Sequence, residues 1–132
     1  MAMRNYFTND ELTDSETAKR LRIKNAPTKE QWINLFAIRD NVLNPLREKF
    51  GKPIRITSGF RSPELNKAVG GKSTSQHIKG EAVDITAIDK ADNKELFELC
   101  KTLNFDQLID ESNLTWIHIS YKVPNRKQIL KL

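Results

Sequence analysis

Residues 75–86 read Ser75-Gln76-His77-Ile78-Lys79-Gly80-Glu81-Ala82-Val83-Asp84-Ile85-Thr86. Gly80 to Thr86 has the β-branched content and two-residue alternation of a strand. Alternation puts Ala82 and Asp84 on one face and Val83 and Ile85 on the other. The preceding Gly70 to Gln76 (GGKSTSQ) is a loop, so His77 lies where a loop enters a strand. Asp84 follows on that strand, after the chain has turned at Gly80.

Working outward, Pro53 to Ser58 (PIRITS) is a second strand. Ser62-Pro63 places a cap before a first-turn proline and opens a short helix to about Val69. Upstream, Thr13-Asp14-Ser15-Glu16 has capping-box form and predicts a helix through Arg22, broken by Asn25-Ala26-Pro27. Thr28-Lys29-Glu30-Gln31 is a further capping box. It precedes Trp32, Leu35, Phe36, Val42, Leu43, Leu46 and Phe50 at helical spacing, with Gly51 as the stop. Pro45 inside this run predicts a kink or two abutting helices. Downstream, Asp89 to Leu103 reads as the last long helix. Phe105 to Glu111 and Leu114 to Tyr121 read as a hairpin turning at Ser112-Asn113. Helices with a mostly antiparallel sheet make an α+β fold.

The 132 residues fit one domain, 1–132, with 38% apolar and 30% charged residues. A lone cysteine, Cys100, excludes an internal disulfide framework and a multi-cysteine metal site. Among the apolar neighbours of ELFELCKTL it reads as a buried thiol. No stretch approaches the roughly 20 apolar residues of a membrane span, and the N-terminus carries no visible signal peptide. Synthesis in the cytoplasm is expected. The net charge of +5 sits partly in KRLRIK (19–24) and the C-terminal KVPNRKQILKL. These read as solvated basic surface, and no nucleic-acid signature accompanies them.

His77 and His118 are the two histidines of the protein. His118 stands in Trp116-Ile117-His118-Ile119-Ser120-Tyr121, on the strand face shared with Trp116 and Ser120. A catalytic zinc takes three ligands from His and carboxylate and keeps a fourth position open. His77, Asp84 and His118 supply that set, and a metal would remove the cost of burying Asp84. Taken singly, a strand histidine also serves as a hydrogen-bonded core residue, and Asp84 could pair with an arginine.

Ser75-x-His77-x-x-Gly80-x-Ala82-x-Asp84, followed by Trp116-x-His118, resembles the zinc D-Ala-D-Ala carboxypeptidase family. That family shares its fold with the bacterial dipeptidases of vancomycin resistance and the signalling domain of hedgehog proteins. Ile56-Thr57-Ser58-Gly59-Phe60-Arg61-Ser62 looks like the family's SGYRS segment. The region from Tyr6-Phe7-Thr8 through Asn44-Pro45-Leu46-Arg47 is similar to a branch of small single-domain members, often encoded by phages or prophages. The resemblance implies zinc held by His77, Asp84 and His118, Arg61 on the substrate carbonyl or carboxylate, and Ser75 near the substrate's end. Ser75 could instead cap its loop, and Arg61 could form an ordinary ion pair.

The implied activity is zinc-dependent hydrolysis of peptidoglycan stem peptides at the bacterial cell wall. The bond is either at a D-Ala-D-Ala terminus or between L-Ala and D-Glu, and the protein is expected to act as a monomer. The alternative is a non-catalytic, zinc-containing wall-binding or phage assembly module. It is motivated by a departure from the family pattern. Relatives carry a carboxylate three residues before the second histidine, or a His two before it; here those positions are Thr115 and Trp116. Glu111 is the substitute base. With a two-residue turn, Glu111 pairs with Leu114 and Gln107 with His118, so Glu111 shares the His118 face but lies four residues along, about 13 Å at strand rise. Direct proton transfer over that distance needs a bulge or a longer loop to shorten it. Asp110 points the other way.

Overall fold

The computed structural model describes residues 4–132. Five strands form the sheet: β1 (Ile54–Ser58), β2 (Ala82–Ala87), β3 (Gln107–Glu111), β4 (Trp116–Ser120) and β5 (Gln128–Lys131). Their order is β1-β2-β4-β3-β5, antiparallel throughout except for the parallel β3–β5 pair. Six α-helices accompany them: α1 (Asn9–Thr13), α2 (Glu16–Leu21), α3 (Lys29–Ile38), α4 (Asn44–Phe50), α5 (Pro63–Ala68) and α6 (Asn93–Cys100). The fold is α+β, as expected. No helix among the described residues is long and apolar enough to cross a membrane.

Alternation divides the sheet into two chemically distinct faces. Val83 and Ile85, Ile117 and Ile119, and Leu108 point to one face and are fully buried against Leu35, Ile38, Val42, Leu43, Leu46, Leu96 and Cys100. Burying such side chains contributes about 1.5–3 kcal/mol each, so this face organises the molecule. Cys100 is buried there, and burial pushes its thiol pKa up, in keeping with an inert packing role. The other face carries Asp84, His118, Trp116, Ile109 and Glu111, paired across the strands as Asp84 with His118, Ile109 with His118, and Glu111 with Trp116.

Pro45 falls where the periodicity predicts a break. The helix widens into a π-helical segment, Arg39–Leu43, and resumes as α4 with the proline in its first turn. The Asn44 N–H bonds back to the Arg39 carbonyl, five residues away. The wider turn accommodates a residue that lacks a donor and crowds the preceding carbonyl. Gly51 ends α4 in the left-handed conformation, at φ 71°.

Four expectations need correction. The helix expected from Thr13-Asp14-Ser15-Glu16 through Arg22 is α2, but it is capped by Ser15 and is preceded by a further helix, α1. The capping box that operates is Thr8 with Glu11, opening α1, while Ser15 caps α2 and Thr13 closes α1. Of the two successive Thr-x-x-Glu patterns, Thr8–Glu11 forms the box, whereas Thr13 is taken up as the last residue of α1. The predicted helix from Asp89 to Leu103 divides into a 3-10 turn (Lys90–Asp92) and α6. Buried Asn93 marks the junction, accepting the Ala87 N–H at 2.8 Å and donating to the Leu114 carbonyl at 2.9 Å.

The β3–β4 connection is four residues, Ser112 to Thr115, rather than two. Ser112, Asn113 and Leu114 all adopt positive φ, and Asp110 accepts the Leu114 N–H at 2.7 Å. The hairpin is therefore re-registered, pairing Glu111 with Trp116 and Ile109 with His118. Finally, the C-terminal segment keeps its basic residues exposed, as expected, but also forms a strand that the sequence reading lacked, β5, paired with β3.

Candidate metal centre

His77 reaches its place through a short 3-10 turn, Gln76–Lys79, whose N-cap Ser75 accepts the His77 backbone N–H at 3.1 Å. Ser75 thus caps the loop and also lines the neighbouring cavity. The turn ends at Gly80 with φ 75°, and a Cβ there would lie 2.6 Å from the Gln31 carbonyl oxygen of α3. Gly80 is thus required both by its left-handed backbone and by the close approach of α3. Gly80→Ala is expected to destabilise the fold by about 1–3 kcal/mol and to weaken metal binding together with it. Urea unfolding and zinc titration check this.

A bulge aligns the remaining segment. Ile56 pairs with Ile85 and Ser58 with Asp84, leaving Thr57 as the extra residue on β1. The chain then runs through Gly59 to Arg61 beside the His77 turn. The Arg61 N–H donates to the His77 carbonyl at 3.1 Å, and His77 Nδ1 lies 2.8 Å from the Gly59 carbonyl oxygen. A carbonyl only accepts, so Nδ1 carries the proton and Nε2 is left with a lone pair. Gly59 has no room for a side chain, because a Cβ would sit 2.1 Å from the Leu12 carbonyl oxygen.

Three ligand-type atoms now converge. Asp84 Oδ1 lies 3.3 Å from His77 Nε2 and 3.1 Å from His118 Nδ1. The atoms offered by His77, Asp84 and His118 all fall within 4.8 Å of one another. A tetrahedral ion with bonds of about 2.0 Å separates its ligands by about 3.3 Å, so the two measured spacings fit a zinc-type site. Two neutral nitrogens and one carboxylate are also the donor set such an ion takes. The imidazole rings meet edge to face at 5.2 Å, bringing two nitrogens toward one point without stacking the rings.

Asp84 Oδ2 faces Arg61 Nη2 at 3.5 Å, which leaves Oδ1 for the two imidazoles. Burial of Asp84 opposes its ionisation, but the imidazoles of His118 and His77, when protonated, outweigh it through hydrogen bonds and charge and hold the carboxyl well below the usual carboxylate range. Arg61 is further held by Ser58 Oγ at 3.2 Å from Nε and Asn66 Oδ1 at 3.2 Å from Nη1. Burial lowers its pKa and the Asp84 charge counteracts this. An ordinary ion pair and a place on the cavity wall are both observed for Arg61.

The cluster forms part of the wall of a cavity of about 540 Å³, lined also by Arg61, Ser75, Glu111, Trp116 and Leu130. A larger cavity of about 750 Å³ lies between the α1–α2 segment and β1. It includes Arg61 but none of the three clustered residues, so ligand chemistry rather than volume singles out the smaller one. Glu111 is two residues beyond Ile109, the partner of His118, so it stands about 7 Å along β3 rather than 13 Å. Asp84 and Glu111 are the two side-chain carboxylates that line the cavity among the described residues.

The sequence model of the peptidase M15 family matches residues 5–120. The chain belongs to the peptidase M15 family. A 46-residue stretch is 46% identical to the zinc D-Ala-D-Ala carboxypeptidase of Streptomyces albus G, covering 34% of this chain and 18% of that protein. The match thus spans less than a fifth of the relative's length.

Several parts of this M15 site had no local signal in the sequence. The Gly59 carbonyl is a backbone group, and nothing in SGFRS marks it as the partner of His77. Asp106 and Arg126, which brace the cavity from one side, are 20 residues apart and meet only through folding. Leu130 and Leu132 alternate in QILKL, a faint strand signal, and both line the cavity.

Asp106 supplies a pH prediction. Burial opposes its ionisation, yet hydrogen bonds from the Arg126 side chain and backbone and from Gln76 hold its pKa down at about 2. The folded pKa lies below the ordinary value of about 3.9, so its stabilisation is complete above pH 4 and is lost as pH falls toward 2. Asp106→Asn is expected to cost about 1–3 kcal/mol near neutrality, the gap to wild type narrowing between about pH 4 and pH 2. Urea midpoints at pH 6 and pH 3 measure this.

Proposed function

We propose that this M15 family member hydrolyses peptidoglycan stem peptides at the bacterial cell wall, with zinc held by His77 Nε2, Asp84 Oδ1 and His118 Nδ1. The convergence of these three atoms at the edge of an open cavity carries the reading. Both the family and the matched stretch of a zinc carboxypeptidase support it. When bound, zinc supplies a Lewis acid that polarises a carbonyl and acidifies water.

The residues of the chain do the rest. Glu111 takes a proton from the attacking water and returns it to the departing amine, so one carboxyl serves as base and then as acid. Arg61 presents a planar cation toward the carbonyl oxygen that gains negative charge, and Asp84 Oδ2 keeps that guanidinium oriented. The Gly59 carbonyl holds the His77 ring in the tautomer that exposes Nε2. Trp116 and Leu130 offer apolar surface to peptide side chains.

The test is digestion of purified peptidoglycan by the zinc-loaded protein, followed by mass spectrometry of the released fragments. New amino groups with a defined cleaved bond are expected, either D-Ala-D-Ala or L-Ala-D-Glu. Binding to walls with no new amino groups, whatever metal is supplied, would instead identify a non-catalytic wall-binding module.

A further inference from the structure

Arg126 stands just before β5 and lies beyond the residues matched by the family, 5–120. Its partner, Asp106, is 1% exposed. Asp106 Oδ1 accepts the Arg126 backbone N–H at 2.9 Å and Nε–H at 3.0 Å. Its Oδ2 accepts Arg126 Nη2 and Gln76 Nε2, both at 2.9 Å. Four donors on one buried carboxylate leave it little capacity for another ligand and hold the guanidinium in one orientation. The same carboxylate reaches the His77 turn through Gln76.

The guanidinium is not used up by this arrangement. The Arg126 side chain is 56% exposed and lines the metal-centre cavity together with Lys72, Gln107 and Leu132. Its bonds to Asp106 use Nε and Nη2, and Nη1 makes no hydrogen bond among the described residues. Arg61 differs, since Nε, Nη1 and Nη2 each face a protein acceptor. Lys72 is exposed, and its carbonyl is tied down by Asn66 Nδ2 at 2.9 Å and by the Ser75 N–H at 3.0 Å. A braced arginine with a free edge, lining the same cavity as a lysine on a fixed backbone, suits a planar anion.

We propose that Arg126 and Lys72 form a carboxylate-binding subsite on this cavity, so that the preferred ligand is a peptide bearing a free acid group. The subsite rests on the peptidase reading for its substrate but not for its binding. The probes are N-acetylated D-Ala-D-Ala and N-acetylated L-Ala-D-Glu, each as free acid and as the full carboxamide. Affinity is measured by NMR titration of the protein, and turnover by steady-state kinetics with zinc.

Wild type is expected to bind at least one free acid about 10- to 100-fold better than its carboxamide. Arg126→Gln should erase that preference, raising KM for the acid while kcat stays within about twofold. Arg126→Lys should recover part of it. Lys72→Gln leaves the Asp106 bonds intact and should lower the same preference, which keeps the test open if an Arg126 variant does not fold. An acid-to-amide ratio of one in wild type, or an unchanged ratio in Arg126→Gln or Lys72→Gln, would overturn the subsite and leave Arg126 as a brace for β5. A preserved acid preference in binding with no cleavage of either probe or of walls would sink the peptidase reading and leave the subsite standing.

Discussion

Replacing His77 or His118 by alanine should leave a protein that no longer retains zinc and no longer hydrolyses cell-wall peptides. Wild type is expected to carry one zinc per chain after dialysis, read by elemental mass spectrometry. Losing an outer-shell partner alone typically costs 10- to 100-fold in metal affinity, so losing a direct ligand should exceed about 100-fold. His118→Ala is the cleaner variant, because the His118 side chain is 12% exposed whereas that of His77 is 3% exposed and anchored to the Gly59 carbonyl. Removing His77 also strands that carbonyl and opens a void beside β2, so thermal unfolding should accompany its zinc titration.

Chelation provides an independent readout. A ligand that binds only the folded chain stabilises it in proportion to the logarithm of its concentration over Kd. Wild type should therefore lose thermal stability on addition of a chelator, and His118→Ala should not. Retention of one zinc per chain in H77A/H118A would refute the metal assignment outright.

Glu111→Gln separates chemistry from metal binding. The substitution preserves size and leaves His77, Asp84 and His118 untouched, so zinc content should match wild type. A positioned general base contributes about 10²–10⁴-fold, and turnover should fall by that factor with KM little changed. The re-registered hairpin makes this expectation specific: Glu111 shares the cavity with the cluster, and Asp84, the other side-chain carboxylate on its wall, is already engaged by His77, His118 and Arg61. Turnover equal to wild type would move the base to another group.

The contrast between Asp84 and Glu111 explains how much was legible before folding. In AVDI the alternation of small, apolar and acidic residues already put Asp84 opposite the core-facing Val83 and Ile85, and β2 has that arrangement. The same reading placed His118 between Ile117 and Ile119, which are buried while the imidazole faces the cavity. Glu111 could be assigned a face but not a distance. Its separation from His118 depends on a four-residue loop with three left-handed residues, none of them glycine. The dipeptide Ser112-Asn113 alone reads as a tighter turn.

What the sequence by itself determined is which side of β2, β3 and β4 carries chemistry, because side-chain alternation is a property of the local backbone. The register of β3 on β4, the return of the C-terminal segment as β5, the Gly59 carbonyl behind His77 and the Asp106–Arg126 brace were decided only by tertiary structure. Each depends on which distant segments can bury their apolar faces together while satisfying every buried donor and acceptor, and no window of neighbouring residues contains that information.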